Sequence, residues 1–197
     1  MEYQQYLAKE RPIEEVSSLV WRDKSGTIHT NPEAQLLDMA LLPFPYPDLE
    51  SLSDKILYFE SIRGCPFRCS YCLSSVAGRV RYMPLPMVFE RLQKFLDARV
   101  RQVKFVDRTF NCSKEYSMAI WKYLSEHDNG ITNFHFELTA HLIDDEMIEF
   151  LKTVRRGLFQ FEIGVQSTNP DTIREIRRTT DTERLLSVCR RLDEAKN

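Results

Sequence analysis

The sequence has no run of apolar side chains approaching the roughly 20 residues that a membrane-spanning helix needs. Its start, Met1-Glu2-Tyr3-Gln4-Gln5, does not read as a secretory signal. Excess positive charge is missing as well, since 27 Lys and Arg stand against 29 Asp and Glu and leave a formal net charge of -2. That balance supplies no field for gripping a phosphate backbone, so nucleic acid is not indicated as a partner. A disulfide framework is also absent. The five cysteines are odd in number, and three of them crowd into positions 65–72. Together these absences predict a cytoplasmic protein in a reducing compartment, without a membrane partner. A length of 197 residues allows one substantial core with an extension.

What is present is the run Arg63-Gly64-Cys65-Pro66-Phe67-Arg68-Cys69-Ser70-Tyr71-Cys72. Thiols at this Cx3Cx2C spacing can wrap one small inorganic cluster. A 4Fe-4S cluster normally takes four thiolates, and no fourth cysteine lies nearby, which predicts one iron left open to a substrate. The competing reading is a structural zinc site of three sulfurs and a histidine, although zinc ligands usually split into two pairs. Cys112 and Cys189 read as inert thiols.

The rest of the chain divides in two, a hairpin and Pro-rich connector over 1–55 and an α/β region over 56–197. Ser18–Arg22 and Thr27–Thr30 flank Asp23-Lys24-Ser25-Gly26, a hairpin pattern with glycine in the turn. Leu42-Pro43-Phe44-Pro45-Tyr46-Pro47-Asp48 then predicts an extended arm lying over the next region. From Ile56 the pattern repeats as strand, loop and helix. Strands are expected at 56–60, 103–107, 134–139 and 158–165, with helices at 85–98, 114–127 and 144–154. Asn169-Pro170 marks a further helix start, and Thr180-Asp181-Thr182-Glu183 has capping-box spacing for a last helix running almost to Asn197. Repeated strand and helix units imply a parallel sheet with right-handed crossovers.

The third and fourth strands alternate in a telling way. Phe134, Phe136 and Leu138 share one face, as do Phe159, Phe161, Ile163 and Val165. His135, Glu137 and Thr139, with Gln160, Glu162, Gly164 and Gln166, share the other. A parallel strand covered on both sides should be apolar throughout, so the polar face predicts a wet concave side where a ligand binds.

With its aromatic just before the last cysteine, the Cys65–Cys72 run resembles the signature of the radical S-adenosylmethionine (radical SAM) superfamily. Glu162-Ile163-Gly164-Val165-Gln166-Ser167-Thr168-Asn169 is similar to the fourth-strand element of its methylthiotransferase and coproporphyrinogen oxidase types. The amino-terminal arm resembles the connector that follows a cobalamin-binding domain in other members. The resemblance implies the first four units of a partial (β/α)6 TIM-like barrel. It implies that Cys65, Cys69 and Cys72 hold a 4Fe-4S cluster whose open iron chelates SAM, and that an electron from the cluster releases the 5'-deoxyadenosyl radical. Gln166 and Ser167 then match ribose-side positions, Glu137 a third-strand acid near SAM, and Glu162 a polar contact of the fourth strand. Arg178 matches a partner of the SAM carboxylate, Tyr71 a wall for adenine, and Asp107 a second-strand position near the SAM amino group. Val106-Asp107-Arg108-Thr109 departs from the usual Gly-Gly-Glu form there.

By the same resemblance the electron donor is flavodoxin or ferredoxin, the substrate is unidentified, and cobalamin would bind through a domain absent from this chain. On this reading the chain is a fragment. Residues 1–197 alone would bind SAM weakly and cleave it little, and the unpaired edge of the fourth strand would either pair with a second copy or be covered by the amino-terminal arm. A non-catalytic metal-binding or electron-transfer module, or a scaffold without turnover, is the alternative.

Overall fold

The computed structural model describes residues 2–76 and 79–194, and the chain divides into two compact units between Asp38 and Met39. In the first unit, helix α1 (Glu2–Leu7) and a 3-10 turn (Ile13–Glu15) precede a hairpin of β1 (Val20–Arg22) and β2 (Ile28–Thr30). The turn is as the sequence predicts. Asp23 accepts hydrogen bonds from the amides of Ser25 (2.8 Å) and Thr27 (3.0 Å), and Gly26 supplies φ +91°. Trp21 stacks on His29 with ring centroids 4.3 Å apart, and His29 Nε2 lies 2.8 Å from Asp23 Oδ2.

The second unit is a four-stranded parallel sheet in the order β3 (Ile56–Phe59), β6 (Gln102–Phe105), β7 (Asn133–Leu138), β8 (Phe159–Ile163). A two-residue antiparallel ribbon, β4 (Ile62–Arg63) with β5 (Arg81–Tyr82), interrupts the first crossover. Helices α2 (Leu85–Asp97), α3 (Lys114–Glu126) and α4 (Asp145–Lys152) follow β5, β6 and β7. Each starts where the local chemistry provides for it. Pro84 precedes α2, the Ser113 side chain accepts from Tyr116 N, and that of Asp144 accepts from Met147 N.

One face of the sheet is aromatic. Phe59, Phe105 and Phe136 are buried there, Phe161 extends the row, and Phe95, Phe110 and Trp121 are buried against it. Each such side chain removed from water contributes about 1.5–3 kcal/mol. The arm packs on this core through Leu42, Phe44 and Tyr46. Tyr46 also protects the β3 edge, since its hydroxyl accepts from Tyr58 N and donates to Tyr58 O, both at 2.8 Å.

Two local differences from expectation have clear causes. The fourth strand ends at Ile163, because its ladder partner β7 ends at Leu138, and Gln166 then takes φ +65° outside the strand. The last helix, α6 (Thr182–Glu194), is capped by Asp181, whose Oδ1 accepts from Arg184 N at 3.0 Å. Thr180 is engaged instead by Arg178, and the expected helix positions beyond Glu194 lie outside the described residues. Among the described residues no helix is long and apolar enough to cross a membrane.

Candidate functional site

The loop that carries the cysteines is closed at its base by the β4–β5 ribbon, with Ile62 opposite Tyr82 and Arg63 opposite Arg81. Gly64 is required at the next position. Its φ is +100°, and a Cβ there would lie 3.0 Å from the Arg79 carbonyl oxygen, so any side chain would be strained and crowded together. Inside the loop, Cys72 N–H donates to Cys69 O at 3.1 Å, and Ser75 donates to Cys72 O through its amide (3.1 Å) and hydroxyl (2.7 Å). Cys69 is buried, whereas Cys65 and Cys72 are half-buried, and all are free thiols. Among the described residues no three His, Cys, Asp or Glu side chains close around one metal-ion position. A closed zinc site needs four donors on a single ion. A cluster instead takes one thiolate per iron, which fits thiols that share a loop without meeting at a point.

Arg178, just beyond the short helix α5 (Pro170–Glu175), joins this loop to the end of β8. Its Nη2 donates to Gly164 O at 2.8 Å, its Nε to Thr180 Oγ1 at 2.9 Å, and its Nη1 lies 3.4 Å from the Tyr71 hydroxyl. Ser70 N–H adds a second link by donating to Ile176 O at 3.0 Å. The Gln166 amide lies over Gly164, where a Cβ would come within 2.7 Å of Gln166 Nε2. Tyr71, Gly164, Gln166 and Arg178 are thus brought together beside the cysteines. The Ser167 hydroxyl accepts from Asn169 N at 3.1 Å, which ties it to the N-terminus of α5. His141 meets the cysteine loop as well, edge-on to Phe67 with centroids 5.6 Å apart. Burial, then Arg178 and Arg184, lower its pKa below the ordinary histidine value.

On the open face of the sheet, Glu162 Oε2 sits 3.1 Å from Lys104 Nζ and 3.3 Å from His135 Nε2, and Glu137 Oε1 lies 4.0 Å from the same lysine. The His135 nitrogen is buried and has no hydrogen bond aligned with that carboxylate. Desolvation, helped by Lys104, pushes the pKa of His135 down and favours the neutral ring. Sequence reasoning misses Lys104 as the shared partner of both acids. The signal lies in Val103-Lys104-Phe105, whose alternation puts Lys104 on the polar face.

Asp107 is placed differently from these residues. It is fully buried, and its carboxylate accepts from Ser61 N (2.7 Å), Ser61 Oγ (2.5 Å) and Ile62 N (2.9 Å). Burial outweighs those bonds and raises its pKa to about 7. No hydrogen bond joins it to Tyr71, Gln166 or Arg178. In this geometry Asp107 holds the segment leading into the cysteine loop. Ser61 O accepts from Met83 N at 2.8 Å, and the Tyr116 hydroxyl donates to Met83 O at 2.8 Å, so the ribbon is fastened from both sides.

Comparison with known proteins bears on this site. The family model described as "Radical SAM superfamily" matches residues 59–197. The ribosomal protein uS12 methylthiotransferase RimO of Chlamydia abortus is 24% identical over 144 residues, which cover 68% of this chain and 31% of the relative. The RimO of Chlamydia pneumoniae is 21% identical over 145 residues, again 31% of its length. The chain therefore spans about a third of these curated relatives. Among solved structures, the cobalamin-dependent SAM radical enzyme OxsB with aqua-cobalamin and SAM bound superposes with TM-score 0.74 at 18% identity, over 95% of this chain and 29% of that one. The radical SAM methyltransferase TsrM from Kitasatospora setae, with cobalamin and a [4Fe-4S] cluster bound, gives 0.75 at 14% identity, over 99% and 42%. At these identities the likeness concerns the fold: the sheet and helices described above are those of a partial TIM-like barrel.

Proposed function

The chain belongs to the radical SAM superfamily, and from that premise we propose that Cys65, Cys69 and Cys72 hold a 4Fe-4S cluster whose remaining iron takes SAM. The observation that carries this reading is the grouping of free thiols in one pinned loop at the C-terminal ends of parallel strands, where the ligand sites of α/β barrels lie. When bound and reduced by an external one-electron donor, such a cluster supplies one electron to the SAM sulfonium, splitting its C5'–S bond into methionine and a 5'-deoxyadenosyl radical.

The protein's residues bind, orient and shield. Arg178 is already oriented by Gly164 O and Thr180, so its guanidinium needs little reordering to meet the SAM carboxylate. Tyr71 offers an exposed ring beside it for adenine, and Gln166 and Ser167 offer polar atoms to the ribose. Lys104 holds Glu137 and Glu162 by charge at the edge of the same face. Low-potential reduction by flavodoxin or ferredoxin completes the proposal, with the radical acting on a substrate seated over the open face.

The test is SAM affinity. Arg178→Ala should weaken SAM binding to the reconstituted chain by at least about tenfold, in line with roughly 1.5–3 kcal/mol for a hydrogen bond to a charged group, and leave the iron content unchanged. Unaltered affinity would remove Arg178 from the site. Loss of iron in this variant would mean that the arginine serves the loop rather than the ligand.

A further inference from the structure

The loop after β6 is fastened at both ends. Asp107 grips Ser61 and Ile62, as described. Four residues on, the buried Asn111 makes a reciprocal pair with Thr139 beyond β7, its Nδ2 donating to Thr139 O and its Oδ1 accepting from Thr139 N, both at 2.9 Å. Phe110 is buried in the aromatic core beside Asn111. Between these anchors lies Thr109, only 3% exposed. Its Oγ1 is 3.5 Å from Cys65 Sγ and 2.7 Å from the carbonyl oxygen of Arg108.

We propose that Thr109 is a positioning residue for the iron–sulfur centre: its hydroxyl, held against Cys65 by the Asp107 and Asn111 anchors, donates to the Cys65 thiolate and sets the reduction potential of the cluster. The chemistry follows from the partners available. A threonine hydroxyl has one proton and can rotate it. Facing a neutral thiol, the proton goes to the Arg108 carbonyl. A thiolate in metal is the stronger acceptor, because a charged acceptor makes a hydrogen bond about twice as strong as a neutral one. Hydrogen bonds to cluster sulfurs are among the factors that tune cluster potentials. Reduction adds negative charge, so a donor aimed at the sulfur stabilises the reduced state and raises the potential. The anchors matter because a loop fixed at Asp107 and Asn111 cannot swing another donor into the place of a lost hydroxyl.

This inference rests on the cluster reading above. The test is an anaerobic redox titration of the reconstituted full chain, followed by electron paramagnetic resonance (EPR), with iron content measured alongside. Thr109→Val keeps the shape and removes the hydroxyl, so its midpoint should move to a more negative potential at unchanged iron content. Thr109→Ser, which keeps the oxygen, should return close to wild type. A valine variant at the wild-type potential overturns the proposal, and so does a serine variant shifted as far as the valine one. If Thr109→Val assembles no cluster, Thr109→Ser is compared with Thr109→Ala. Equal midpoints in that pair overturn the proposal, and a more negative midpoint for alanine supports it. A wild-type chain that takes up no cluster overturns both readings, whereas a wild-type cluster insensitive to Thr109 overturns this one alone.

Discussion

Alanine at Cys65, Cys69 or Cys72 is expected to abolish iron–sulfur absorption after anaerobic reconstitution, and alanine at Cys112 or Cys189 to leave it in place. Each of the first group would supply the only protein ligand of one iron, so removing any one of them leaves two irons without a protein ligand. The other two thiols lie in different settings. Cys112 Sγ is 3.4 Å from the Tyr82 hydroxyl, and burial pushes its pKa up, away from the thiolate form that ligates metal. Cys189 packs beside the core from α6, and burial raises its pKa too. Iron and sulfide analysis of the five variants decides the matter. Full iron content in any of the first three would remove that cysteine from the ligand set.

Phe136→Ala should produce the largest loss of stability among single changes in the sheet, about 3–5 kcal/mol by the cost of emptying a buried aromatic site. Phe136 is fully buried, with ring centroids 4.3 Å from Phe110, 4.5 Å from Phe105 and 5.6 Å from Phe159. Those neighbours belong to two other strands and to the β6 loop, so the cavity cannot collapse without moving the loop that holds Thr109. Gln160→Ala, exposed on the opposite face, should change stability by less than about 0.5 kcal/mol. Urea denaturation of the apo chain measures both. Comparable losses at the two positions would mean that the faces of the sheet are assigned the wrong way round.

Much of the fold could be read from the sequence because alternation survives wherever one face is buried. Phe134–Leu138 and Phe159–Ile163 announce both their strand and their facing. The same signal overshoots after Ile163. Val165 and Gln166 continue the apolar and polar alternation, but the ladder has ended and Gln166 has turned to positive φ. The β4–β5 ribbon could not be read at all, since two residues on each side give a period of two nothing to repeat. The site was legible in part. Cysteine spacing carries its own chemistry, and Arg178 reaches Tyr71 and Gly164 beside that loop. Asp107 shows what spacing cannot supply. Nothing local says that a carboxylate after a strand will fold back onto amides 46 and 45 residues earlier in the chain. The capping box at Thr180–Glu183 fails for a local reason, because Arg178, two residues earlier, takes the threonine hydroxyl and Asp181 caps the helix in its place.

The central claim is a cluster with one iron open to SAM, and EPR of the anaerobically reconstituted, dithionite-reduced chain tests it most directly. The account predicts the signal of a reduced 4Fe-4S cluster, with about four irons per chain, whose shape changes when saturating SAM is added. Stoichiometric zinc with no iron–sulfur signal, or a cluster signal that saturating SAM leaves untouched, would contradict it.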